Sequence, residues 1–340
     1  MKGSFYLGNG KFEVRDLVRE KPGEGEVRVR VAACGVCGTD VHIYHGSKGS
    51  ADVTPPVVLG HEFSGVVEEV GPGVDVVAVD DHVTVDPNMY CGKCRPCRIG
   101  KKQLCTGLRA YGVNLDGGFA EACVVRQEQC YKVSKEIPLE FAAMTEPIAC
   151  ALHGIDRSHI RHGDVVCVVG GGAIGLIMVQ LAKMAGAAKV VVSEPVAFRR
   201  GLALQLGADA AIDPVRENLS ESLREATGVC GADVVVECVG NRIALRQSIE
   251  ICARGATLMV FAVHGVDEVA EIKPFDIFSK ELTVTGSLIN PDTHSRAADL
   301  ISAGRLNLAP IITHSFGIDQ VEKAILMQMG DESVKVLVKP

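Results

Sequence analysis

The sequence predicts an α/β protein in two parts, a β-rich first portion and a doubly wound parallel sheet, and three observations carry that prediction. The chain of 340 residues exceeds the roughly 250 to 300 at which a single hydrophobic core stops growing. Its first half shows strand periodicity, with apolar and polar residues alternating. From about residue 163 short apolar runs alternate with helical segments, each run ending at glycine. That last pattern is the signature of parallel strands joined by crossover helices.

Taken in order, "EVRVRVAA" sets Val27, Val29 and Val31 against Arg28 and Arg30, the period of a half-buried strand. "FSGVVEEVG" repeats that style. Later, "DVVCVVGGG" leads into "AIGLIMVQLAKMAGA", "KVVVSE" into "AFRRGLALQLGA", and "ADVVVECVG" into "IALRQSIEICARG", with the strand "ATLMVFAV" following. No repeat at a solenoid period and no low-complexity segment interrupts this order.

Composition narrows the function. A hydrophobic fraction of 47% with 23% charged residues suits a globular chain, and no run reaches the ~18 apolar residues of a membrane span. A net charge of −7 without clustered Lys and Arg argues against nucleic acid and leaves small molecules as the expected partners. "MKGSFYLGNGKFEV" lacks a secretory signal pattern, so a cytoplasmic protein is expected. Its 13 cysteines then read as metal ligands, reactive thiols or small core residues rather than a disulfide framework. Abundant glycine (37) without tryptophan suits a turn-rich nucleotide-binding protein.

Two constellations point to metal. "CGKCRPCRIGKKQLC" places Cys91, Cys94, Cys97 and Cys105 at spacings that let four thiolates converge tetrahedrally on a closed structural zinc. An iron-sulfur cluster is the alternative for the same spacing. Elsewhere Cys37 in "GVCGTDVH", with His61 and Glu62 in "GHEFSG", offers thiolate, imidazole and carboxylate, a set suited to a zinc with one open position. Glu146 in "MTEPIACALHG" can add a carboxylate at the junction of the two domains.

The cofactor signal is a glycine fingerprint in its proper context. Gly170, Gly172 and Gly175 follow an apolar strand and open a helix, with Ala173 and Ile174 in its first turn, so helix amides can meet a pyrophosphate. Glu194, at the end of "KVVVSE", is placed to accept ribose hydroxyls and repel a 2′-phosphate, which favours NAD over NADP. Arg199 and Arg200 nearby could instead serve a 2′-phosphate.

These motifs, with "DGGFAEACVV" and "TEPIACALHG", occur in order over nearly the whole chain, and together they resemble the zinc-dependent medium-chain dehydrogenase/reductase family, particularly its polyol branch of sorbitol, xylitol, arabinitol and galactitol-phosphate dehydrogenases. The resemblance implies a GroES-like catalytic domain over 1–150 with a zinc lobe at about 88–107, a Rossmann NAD-binding domain over 151–287, and a return to the first domain over 288–340. It implies that Cys37, His61 and Glu62 ligate catalytic zinc with Glu146 a direct or water-mediated partner, and that Val239, Val263 and Ser287 join the cofactor site. Thr39 is then placed to touch the substrate hydroxyl and His42 to carry its proton outward, while Asp40 accepts from the His61 ring. Cys34 is read as core, and His45 and Tyr44 as residues of a cleft rim or of the surface. Tyr111 and Asn114 are candidate pocket groups.

Where relatives of the sorbitol type carry an aromatic-Arg-aromatic run, this chain has Leu288, Ile289 and Asn290, which leaves the individual polyol open. A threonine-type amino alcohol and a non-catalytic NAD- and zinc-binding protein are the alternatives. Relatives form dimers or tetramers, and the apolar "TLMVFAV" strand is a candidate to extend a sheet between subunits.

Overall fold

The computed structural model describes residues 1–18, 21–46 and 52–340, which fall into two compact units, Met1–Ala149 with Asn290–Pro340, and Cys150–Ile289.

The first unit is built on a largely antiparallel sheet. Its strands run in the order Cys130–Lys132, His82–Val85, Glu62–Val70, Glu26–Gly35, Lys335–Lys339 and Ile312–Gly317, and Ala122–Arg126 also pairs with Glu26–Gly35. Val27, Val29 and Val31 alternate inward as their period demands and join a core with Phe63, Val67, Val83, Phe119 and Val338. Arg28 departs from the alternation. It is 2% exposed, because Glu68 and Glu69 of the neighbouring strand take up its guanidinium, the Glu68 bond at 2.9 Å. Periodicity assigns Arg28 to the solvent face; an ion pair across the register Arg28↔Glu69 covers it there.

Register decides what meets at the end of this sheet. Gly35 pairs with Glu62 on one side and with Leu337 on the other, which brings the start of one strand, the end of a second and the C-terminal strand together. Gly35 has to be glycine, since a Cβ there would stand 2.0 Å from Glu62 Oε2.

The second unit holds a six-stranded parallel sheet in the order Ala210–Ile212, Lys189–Ser193, Val165–Val169, Ala232–Glu237, Cys252–Val260 and Thr283–Gly286. The order reverses direction beside Val165–Val169, and in such sheets ligands bind at the carboxyl ends of the strands flanking that reversal. All five residues of Val165–Val169 are buried, as a strand covered on both faces requires. The "TLMVFAV" segment corrects one expectation: most of it lies in Cys252–Val260, which pairs on both edges and has no free edge for another subunit. Thr283–Gly286 is the edge strand on that side of the sheet instead. Among the described residues no helix is long and apolar enough to cross a membrane.

Candidate active site

The strand end at Gly35 delivers Cys37, which starts the helix Gly38–Tyr44. The next-door strand Glu62–Val70 begins at Glu62, with His61 immediately before it. The ligand atoms of Cys37, His61 and Glu62 consequently lie within 4.8 Å of one another, with His61 and Glu62 buried. Glu146, in the first turn of the helix Thr145–Ser158, is 7% exposed and stands outside that close set, near enough to act electrostatically on His61.

Charge around this set is lopsided. Burial disfavours a charged His61, but the Cys37 sulfur, Asp40 and Glu146 outweigh it and hold the imidazole well above its usual pKa. Asp40, fully buried, is pushed up to about 6 by desolvation. Its Oδ2 accepts from the Cys37 backbone N–H at 2.8 Å, whereas Oδ1 faces His61 Nδ1 at 3.9 Å, too long for a hydrogen bond. The expected bond to the His61 ring is thus an approach, and both atoms are buried without a partner. A thiol, three carboxylates and an imidazole gathered around so little positive charge fit a divalent cation held by Cys37 and His61.

Lys335 is the cation that sequence reasoning missed. Its ammonium donates to both Glu62 oxygens, at 2.6 and 2.9 Å, and to the Val36 carbonyl at 3.0 Å, with both side chains buried. Glu62 is therefore ion-paired from behind, which leaves Cys37 and His61 as the unencumbered donors of the three. "SVKVLVK" carries no local sign of this, because a lysine in an alternating terminal strand reads as solvent-facing.

Thr39 and His42 stand one turn apart on the helix Gly38–Tyr44, both half-buried. Cys34 is fully buried in the core, and burial pushes its thiol up. Tyr44 donates to Glu322 Oε1 at 3.0 Å, and its ring meets His45 edge-on. Tyr111 and Asn114, the candidate pocket groups, each have a local hydrogen-bond partner. Tyr111 lies in the core with its hydroxyl accepting from the Arg126 amide, and Asn114 Oδ1 accepts from the Ala110 amide, closing a turn.

The four cysteines also converge, with ligand atoms within 4.8 Å of one another. The amides of Cys97 and Thr106 hold the Cys94 thiol down to about 6, and those of Cys94 and Lys93 lower Cys91. Burial and the neighbouring sulfurs push Cys97 up to about 12, so four thiolates coexist only around a cation. A buried polar network anchors the strand leading to this lobe. Asn290, with no exposure, joins Asn88 at 2.7 Å, Asp86 at 3.3 Å and His294 at 3.3 Å. Asn290 thus points into the fold.

In the second unit Gly170 (φ +103°) turns the chain, and Gly172 caps the helix Ala173–Met184. A Cβ on Gly175 would stand 1.9 Å from the Gly170 carbonyl, the close helix–strand approach that the third fingerprint glycine permits. Ala173 and Ile174 open that helix, half-buried. Glu194 is 3% exposed and accepts from Gly171 N at 2.7 Å and Val196 N at 2.8 Å, so its carboxylate is fixed beside the glycine turn. Arg200 is spent on Asp213, at 3.2 Å, and on the Glu194 and Pro195 carbonyls, which removes it as a phosphate ligand; Arg199 stays half-buried beside it. Val239 and Val263 are 46% and 51% exposed, and Ser287 Oγ is buried without a hydrogen-bond partner.

Comparison with known proteins agrees with this arrangement. Residues 23–135 match the alcohol dehydrogenase GroES-like domain and residues 173–303 the zinc-binding dehydrogenase domain. The chain is 36% identical to L-threonine 3-dehydrogenase of Pyrococcus horikoshii over 93% of its own length and 92% of the relative's. It is 34% identical to sorbitol dehydrogenase of Halalkalibacterium halodurans, over 98% and 97% of the two chains. A zinc-binding dehydrogenase from Sinorhizobium meliloti, solved bound to NADP, superposes with a TM-score of 0.95 at 40% identity over 100% of this chain and 99% of that one.

Proposed function

We propose, for a chain that belongs to the zinc-dependent medium-chain dehydrogenase/reductase family, the oxidation of a secondary alcohol of a polyol or sugar-derived substrate, with NAD as hydride acceptor. Membership sets aside the reading of a non-catalytic NAD- and zinc-binding protein. Bound zinc would supply a Lewis acid that lowers the pKa of a substrate hydroxyl, and a bound nicotinamide would supply the hydride acceptor. Cys37 and His61 would hold that ion, with Glu146 as a further carboxylate and Glu62 steadied by Lys335; Cys91, Cys94, Cys97 and Cys105 would hold the second. The observation that carries this reading is the convergence of Cys37, His61 and Glu62 within 4.8 Å in an anionic setting.

The chain's own residues do the rest. Thr39 receives the substrate's proton through its hydroxyl, and His42, one turn on, releases it to water. Glu194, already fixed by two backbone amides, presents a carboxylate where a ribose is read; this supports NAD, although the Sinorhizobium neighbour was solved with NADP. The exposed Phe275, Phe278 and Val284 around the edge strand Thr283–Gly286 support a homo-oligomer that pairs there.

A second substrate reading, a threonine-type amino alcohol, is favoured by the name of the Pyrococcus relative. Against it stands Lys335, already committed to Glu62 and so unable to receive a substrate carboxylate. NAD reduction measured over four- to six-carbon polyols, sugar acids, phosphorylated polyols and threonine separates the two. Turnover confined to threonine would replace the polyol reading, and turnover that survives removal of all zinc would end the mechanism.

A further inference from the structure

A further buried acid, to which no role has been given so far, closes the strand Ala232–Glu237. Glu237 has no solvent exposure. Its Oε1 accepts from the amides of Val239 at 2.7 Å and Gly240 at 2.8 Å. Its Oε2 meets His264 Nε2 at 3.1 Å, and the far nitrogen of that ring stands 3.5 Å from Glu268 Oε2. Glu268 in turn accepts from the Arg242 amide at 2.8 Å. The Glu237 carbonyl also receives the amides of Phe261 and Ala262, at 3.0 and 3.1 Å. One residue therefore grips two loops, the one after its own strand by its carboxylate and the one after Cys252–Val260 by its carbonyl and by His264.

Those loops have no slack. Gly240 (φ +82°) lies so close to the second loop that a Cβ would stand 2.7 Å from the Val263 carbonyl, and a Cβ on Gly170 would stand 2.8 Å from Val239 Cγ2. Val239 and Val263, both about half exposed, thus sit on two loops that meet at Gly240 and the Val263 carbonyl, and the Val239 side chain packs on the first fingerprint glycine. A carboxyl group this deeply buried is tolerated because two amides and an imidazole saturate it, so loss of one partner is felt by the others.

Position in the sheet says what the loops would meet. In a doubly wound sheet of this order each half takes one nucleotide of a dinucleotide, and the acidic residue that reads the adenosine ribose follows the second strand, here Glu194. Ala232–Glu237 and Cys252–Val260 belong to the other half, the one that would meet the nicotinamide nucleotide.

We propose that Glu237 and His264 form a positioning clamp that sets Val239 and Val263 against the nicotinamide half of the cofactor, so that the pair governs affinity for that half and leaves the adenosine half untouched. This rests on the dinucleotide reading of the second unit.

The test titrates NADH and ADP-ribose, which lacks the nicotinamide, into zinc-loaded wild-type, His264→Ala, His264→Gln and Glu268→Gln proteins by calorimetry, with thermal unfolding recorded for each. In His264→Ala the Kd for NADH should rise about tenfold, the worth of one buried hydrogen bond, while the Kd for ADP-ribose stays within about twofold. His264→Gln, whose amide can still donate to Glu237, should recover most of the loss. Glu268→Gln leaves the buried bond in place and should weaken NADH by about threefold or less, which keeps the test open if His264→Ala unfolds. Equal weakening of both ligands, or no change in either, overturns the clamp while the dinucleotide reading stands. Wild-type protein that binds neither ligand overturns both.

Discussion

The Lys335–Glu62 pair is where one substitution should tell most. Two buried charges in contact each lose hydration, and removing one leaves the other stranded, at a cost of about 3 to 5 kcal/mol. Lys335→Met should lower the unfolding free energy by about that much, whereas adding Glu62→Gln should recover a good part of the loss, because no charge is then left bare. Urea unfolding of the two single variants and the double variant measures the coupling; strictly additive losses would mean that the pair contributes nothing beyond its packing. Cofactor choice is also a single-residue matter. Glu194→Ser removes the carboxylate that a 2′-phosphate would have to approach, so the ratio of kcat/KM for NADP over NAD should rise about tenfold or more. Arg200 is bound to Asp213, so the expected switch does not draw on it. An unchanged ratio would place ribose recognition elsewhere.

Among the elements, the helix His294–Ser302 begins on a histidine that is 1% exposed and packs at a tilt against Tyr131, ring centres 4.8 Å apart. Burial pushes His294 down to about 3 and Asp86, joined to it through Asn290, up to about 6. Their linkages run in opposite directions. Below about 6.5 the unfolded chain protonates His294 and the folded chain does not, so folded stability falls as pH drops from there toward 3. Asp86 takes its proton first in the folded state, which adds stability as pH drops from about 6 to about 4. In the native protein the two slopes offset. Asp86→Asn keeps an acceptor and removes one of them, so its stability should fall more steeply than that of wild type, by about 1.4 kcal/mol per pH unit between pH 6 and 4. Parallel curves from denaturant unfolding across that range would refute the assignment.

For the molecule as a whole, the exposed edge strand carries the expectation of assembly. A parallel sheet that ends at Thr283–Gly286, with Phe275 at 70% and Phe278 at 80% exposure close by in sequence, leaves backbone donors and aromatic area bare. Charging that edge with Val284→Lys and Phe278→Glu should turn an oligomer into monomers by light scattering while the far-ultraviolet spectrum stays the same. An unchanged mass would assign the interface to another face.

What the sequence alone determined is whatever has a local period or spacing. The four-cysteine lobe, the strand–glycine–helix passages and the fingerprint turn were legible because a metal, a crossover helix and a pyrophosphate each require residues close together in the chain. Cys37 and His61 were legible through flanking motifs rather than through their distance apart. Tertiary structure alone decided which partners those residues keep. Asp40 divides its oxygens between the Cys37 amide and an approach to His61, Tyr111 turns into the core, and Arg28 is buried beneath acids of the next strand. Lys335 reaches Glu62 from 273 positions away because Gly35 pairs with both their strands, and Glu237 finds His264 across two loops. Such pairings answer to the cost of burying a charge, which depends on what the folded chain places around it, and no window of the sequence holds that information.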